Sequence, residues 1–108
     1  MSEKITDYGA FWPFYLREHA QALTRGLHYI GTGLALAALA AGVLAEPLCL
    51  IGVPLTGYGF AWAAHFFVEK NRPATFTYPA WSLYSDFRMF GLFITGRLSP
   101  HLRAAGVS

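Results

Sequence analysis

The chain has 108 residues, 55% of them hydrophobic and 17% aromatic, and only 13% are charged, about half the share of an ordinary soluble domain. That balance excludes intrinsic disorder. The single cysteine, Cys49, excludes an internal disulfide framework, and a net charge of +2 without a basic cluster excludes a nucleic-acid partner. The length admits one domain, 1–108, and the composition points to a small membrane protein.

In chain order, the first predicted element is an amphipathic helix over 10–26. Phe11, Phe14, Tyr15 and Leu23 alternate there with Arg17, Glu18 and Gln21. Pro13 suits the first turn of such a helix, and Trp12 and Tyr15 suit a headgroup zone. The N-terminal stretch is too polar for a signal peptide.

Two apolar segments follow. Between Arg25 and Glu69 lie 43 residues with one charge, Glu46, beside Pro47. Residues 27–45 and 48–68 are each about the length a helix needs to cross a bilayer. Pro54 predicts a kink in the second. Glu46-Pro47 leaves room only for a tight turn, so the spans form an antiparallel hairpin. Arg17, Arg25, Lys70, Arg72 and Arg88 all flank its outer ends, which predicts cytoplasmic termini. The membrane would be a bacterial inner membrane, or the endoplasmic reticulum in a eukaryote; the Ala-, Gly- and Arg-rich composition loosely fits a bacterium. A soluble hairpin buried in a protein core is the competing reading.

Pro73 and Pro79 break the chain before a last helix over 82–98, capped by Ser82 or Ser85 with Asp86 in its first turn. It reads as interfacial or as a third packed hydrophobic helix. Residues 99–108 read as a loose tail. The expected architecture is all-α: a small integral membrane helical bundle, with a transmembrane hairpin flanked by amphipathic helices. Its glycines permit close helix packing, and self-association stays open.

Four histidines carry the candidate chemistry. The hairpin brings His28 and His65 to similar depth, and His19 lies nine residues before His28. His65 and Glu69 share one face at α-helical spacing. Two or three imidazoles with a carboxylate suit a non-haem iron site with open positions, and the same donors suit zinc. Against this, a lone interfacial histidine is often a hydrogen-bonded polar residue, and His65–Glu69 could be an ion pair. Ionisable groups inside apolar spans are nonetheless costly and tend to be functional. Lys70 and Arg72 could bind a fatty-acid carboxylate or a lipid phosphate, or simply flank a span. Asp86 and Arg88 could pair locally. His101 reads as incidental.

Two blocks, YLREHAQALTRGLHYIGTG and GYGFAWAAHFFVEKNRPATFTYPAWSLYSDFRMF, resemble a family of small membrane proteins known as domain of unknown function 962. Its characterised eukaryotic members are 2-hydroxy fatty acid dioxygenases of phytosphingosine degradation. The resemblance covers roughly residues 12–98 and places the chain in a compact, bacterial branch. It implies an iron(II) enzyme that takes a 2-hydroxy fatty acid and molecular oxygen and releases a fatty acid one carbon shorter. It also implies that His19, His28 and His65 are the required histidines and that Glu69 is the matching acidic residue. The chain departs from the family pattern at Thr24, where asparagine is common, and at Ala64, where glycine is common. The expectation is therefore a membrane iron(II) dioxygenase with His19, His28 and His65 as metal ligands, Glu69 as ligand or acceptor, and Lys70 and Arg72 on the substrate. Membrane lipids are its surroundings. The alternative is a non-enzymatic lipid-binding or assembly protein whose histidines are structural.

Overall fold

In a computed structural model the described residues are 4–107. Glu3 and Ser108, the last residue of the expected tail, lie outside them. The described chain contains helices and turns and no strand, so it is all-α. It divides into two compact units where the length suggested one: Gln21–Pro73, and the segments on either side of it.

The first unit is the hairpin. Helix α2 runs Ala22–Leu44, after helix α1 (Tyr8–Arg17) of the other unit. The returning arm is Pro47–Glu69, assembled from a 3-10 turn (Pro47–Ile51), helix α3 (Gly52–Ala63) and a π turn (Ala64–Glu69). Both arms are long and apolar enough to cross a membrane. Glu46 closes the tip by accepting the Leu48 backbone N–H at 3.0 Å.

The arms meet through small residues. Thr24, His28, Gly31, Ala35 and Gly42 recur along one buried face of α2. A Cβ on Gly31 would stand 2.8 Å from the Phe60 Cβ and from the Thr56 carbonyl, and one on Gly42 would strike Leu50. Glycine is what lets the backbones approach this closely. The large side chains turn outward: Leu44 is 83% exposed, Leu48 71% and Leu55 68%. A soluble core helix buries such groups, so the soluble-hairpin reading finds no support. Pro54 falls near the start of α3, just after spacing changes from 3-10 to α. The irregularity expected there is spread over the changes of helix type at both ends of the arm.

The second unit holds α1, a 3-10 turn (Ala74–Phe76), α4 (Pro79–Ile94) and α5 (Leu98–Ala104). Asp7 caps α1 by accepting the Ala10 N–H at 3.1 Å. Phe11, Tyr15, Leu16 and Met89 are fully buried. Polar edges tie this aromatic core together. The Trp12 Nε1–H donates to His101 Nδ1 at 3.0 Å, Tyr8 and Ser85 share a hydroxyl contact at 2.8 Å, and the Arg88 guanidinium lies 4.2 Å over the Trp12 ring. Such contacts satisfy groups whose burial would otherwise be costly.

Several expectations change here. The helix expected over 10–26 ends at Arg17, because Gln21 adopts an extended backbone (φ −87°, ψ 138°) and starts a new helix. Residues 22–26 therefore join the first long arm. Pro13 lies inside α1, not in its first turn. Trp12 and Tyr15 belong to a buried core, not to a headgroup zone. Helix α4 begins at Pro79 with proline in its first turn, so Ser82 and Ser85 lie on its buried side instead of capping it. The helix expected over 82–98 runs Pro79–Ile94. Gly96 (φ 73°) ends it, with Gly96 N–H on the Phe93 carbonyl and Arg97 N–H on that of Leu92, the paired bonds of a Schellman cap. The tail is helical in α5, which Gly106 (φ 85°) closes with the same pair of bonds.

Candidate metal centre

His28 projects from the buried face of α2, and His65 from the π turn of the returning arm. Their Nε2 atoms lie 3.3 Å apart, with the rings nearly perpendicular at 87°. Both residues are buried, at 5% and 2% exposure. The hairpin thus places at one depth two histidines separated by 37 positions.

The π turn explains how His65 is held. At its end Lys70 takes a left-handed backbone (φ 62°, ψ 42°), the one non-glycine residue with positive φ among those described. This reversal returns the Asn71 N–H to the His65 carbonyl at 2.9 Å and the Asn71 Oδ1 to His65 Nδ1 at 2.7 Å. The amide oxygen can only accept, so Nδ1 carries the proton and the lone pair sits on Nε2. π turns inside helices frequently mark functional sites.

His19 lies in the turn after α1 and is 1% exposed. Its Nδ1 faces the Tyr15 carbonyl at 2.7 Å. A carbonyl accepts, so this imidazole too carries its proton on Nδ1 and its lone pair on Nε2. Within the hairpin unit, His28 and His65 are buried donors that could take part in holding a metal ion.

The His28 and His65 donors fit such an ion. Two ligands bonded to one first-row metal at about 2.1 Å stand ~3.0–3.4 Å apart, and the separation of the His28 and His65 nitrogens falls in that span. Neutral imidazoles suit iron and zinc alike.

The other candidates fall elsewhere. Glu69 accepts the Gln21 backbone N–H, and Gln21 Nε2 donates to the Val68 carbonyl at 3.0 Å. In this geometry the carboxylate pins the start of α2. Lys70 and Arg72 are exposed at the open end of the hairpin. His101 receives the Trp12 indole in the other unit. Asp86 accepts the Tyr15 hydroxyl, while Arg88 stacks on Trp12. Burial pushes the Asp86 carboxyl up to about 6, against the lowering pull of that hydroxyl. Asn71 is the contact that sequence spacing missed. Its signal was present in the Glu69-Lys70-Asn71-Arg72-Pro73 run, but only a π turn with a left-handed exit gives a separation of six its meaning.

Compared with known proteins, residues 5–98 match the model of a family described as 2-hydroxy-palmitic acid dioxygenase Mpo1-like. The match spans most of the chain, which belongs to this family. No curated protein and no solved structure matches it.

Proposed function

We propose that this member of the dioxygenase-like family is an iron(II)-dependent membrane enzyme that shortens 2-hydroxy fatty acids by one carbon. The observation that carries the reading is the buried His28–His65 pair, its Nε2 atoms 3.3 Å apart and one ring oriented by Asn71. His19 is the third ligand in this proposal, tied by the chain to the start of the hairpin and carrying its lone pair on Nε2. Iron, when bound, supplies the oxygen chemistry.

The chain's own residues do the rest. Asn71 and the Tyr15 carbonyl keep protons on Nδ1 of His65 and His19, so that Nε2 of each is the donor. Glu69 holds the first turn of α2, and His28 with it. Lys70 and Arg72 receive the carboxylate at the open end of the hairpin, and the acyl chain lies along its apolar outer face in the bilayer. The excess of basic residues at that end sets it on the cytoplasmic side. The C1–C2 bond of the hydroxy acid is the one cleaved: C1 leaves as carbon dioxide, C2 becomes the carboxyl carbon of the shortened acid, and molecular oxygen, the oxidant, ends as one carboxyl oxygen and one water.

The test is the metal content of protein purified in detergent without oxygen, read by elemental mass spectrometry. About one iron per chain, with oxygen-dependent shortening of 2-hydroxyhexadecanoic acid, is the expected result. His65→Ala should reduce iron to background and turnover by more than about 100-fold, while far-ultraviolet circular dichroism stays unchanged. Iron retained at full stoichiometry in that variant overturns the ligand assignment. A single zinc redirects the site to hydrolysis, and absence of metal after iron(II) is added back removes the enzyme.

A further inference from the structure

Thr24 is fully buried, and its hydroxyl has no hydrogen-bond partner among the described residues. Leaving a buried hydroxyl unmatched costs folding free energy. The part-buried Thr56 avoids this by bonding back one turn to the Gly52 carbonyl at 2.7 Å. Thr24 has no such recourse. It lies in the first turn of α2, and the residue four before it, Ala20, precedes the helix.

Its position shows where a partner would come from. Thr24 and His28 are one turn apart on the same face of α2. That face runs against the returning arm in antiparallel register, with Gly31 against Phe60 and Gly42 against Leu50. Past the His28–His65 contact, Gln21 meets Glu69 and the Val68 carbonyl, so along α2 Thr24 lies between those two contacts. The unmatched hydroxyl thus belongs to the seam between the histidine pair and the basic end, Lys70 and Arg72.

We propose that Thr24 is the specificity-determining residue for the substrate's 2-hydroxyl group. This rests on the iron dioxygenase reading above. A carboxylate is met by charged groups, which the open end of the hairpin supplies. A neutral alcohol is met best by a group that both donates and accepts, and a threonine hydroxyl does both. A site built around such a bond disfavours the analogue that lacks the hydroxyl, because its own polar group then stays buried and unmatched.

The experiment uses the full chain in detergent, loaded with iron(II) without oxygen so that no turnover occurs. Calorimetric titration compares 2-hydroxyhexadecanoic acid with hexadecanoic acid. Thr24→Val keeps the shape and removes the hydroxyl. It should weaken the hydroxy acid about tenfold, leave hexadecanoic acid and iron stoichiometry unchanged, and leave the Tm of the ligand-free protein equal or higher. Thr24→Ser should restore the preference. Unchanged discrimination in Thr24→Val overturns the proposal, as does an equal loss for both acids. A lower ligand-free Tm also overturns it, by showing that the hydroxyl serves the protein's own packing. Wild-type protein that binds neither iron nor the hydroxy acid overturns the underlying reading as well, whereas the other failures leave that reading standing.

Discussion

The two units of this chain solve the burial problem in opposite ways. The hairpin buries small residues and turns leucines and valines outward. The flanking unit buries large rings, Phe11, Trp12 and Tyr15, and connects the polar edges of Trp12 and Tyr15 to His101 and Asp86. The first strategy fits lipid, where outward apolar side chains cost nothing and close backbone packing holds helices together. The second gives these ring edges partners, as the burial of polar groups favours, while the Ser82 hydroxyl stays unmatched among the described residues. The candidate chemistry follows the same division. Two imidazoles, His28 and His65, meet where the hairpin's arms meet, and ionisable groups inside apolar spans tend to be functional.

Three perturbations would break or sharpen that contrast. The largest effect is expected at Asn71. Asn71→Ala removes the acceptor that orients His65 and should weaken metal binding 10–100-fold, with the flanking unit's near-ultraviolet aromatic signal unchanged. Metal affinity equal to wild type would show that His65 needs no such support. Next, Gly31→Ala places a methyl against the Thr56 carbonyl, a backbone atom that cannot rotate away. It should destabilise the hairpin by about 1–3 kcal/mol, seen as a lower detergent-resistant Tm. A neutral result would mean that the arms are not held by close backbone approach.

The smallest effect concerns Asp86. Its folded-state pKa is raised to about 6 from an unfolded value of 3.8, so the native state binds more protons between these values. Stability from this group is therefore full below pH 4 and falls as pH rises through about 6. The change should be about 1–2 kcal/mol after allowance for partial exposure. Thermal melts of wild type from pH 4.5 to 7.5 should lose stability through this group, and Asp86→Asn should flatten that component. A wild-type component rising with pH would show that the Tyr15 hydroxyl, not burial, governs the carboxyl.

Much of the fold was legible along the chain. The long stretch with one charge, interrupted by Glu46-Pro47, specified two apolar arms and their turn, because a helix without a wet face has few places to go. The histidine pair was legible to the extent that a hairpin must bring positions 28 and 65 to similar depth. The aromatic unit was harder to read. Trp12 and Tyr15 carry both an apolar body and a polar edge, and composition alone cannot distinguish an interface from a core that supplies partners for those edges. The tail was misread because the glycines at 96 and 106 act as helix terminators only with the bonds that close each cap.

Sequence by itself determined the helical class, the two membrane-length arms, their antiparallel pairing and the similar depth of His28 and His65. These follow from hydropathy, chain length and side-chain chemistry, all properties readable one residue at a time. Tertiary structure alone decided that Asn71 hydrogen-bonds His65 while Glu69 accepts the Gln21 N–H, that Trp12 and Tyr15 are core, and that the Thr24 hydroxyl is buried unmatched. Each of these depends on a local departure from α spacing, or on neighbours distant in the chain. Helical periodicity assumes a constant 3.6-residue repeat, and the π turn at Ala64–Glu69 breaks that repeat where the candidate chemistry is assembled.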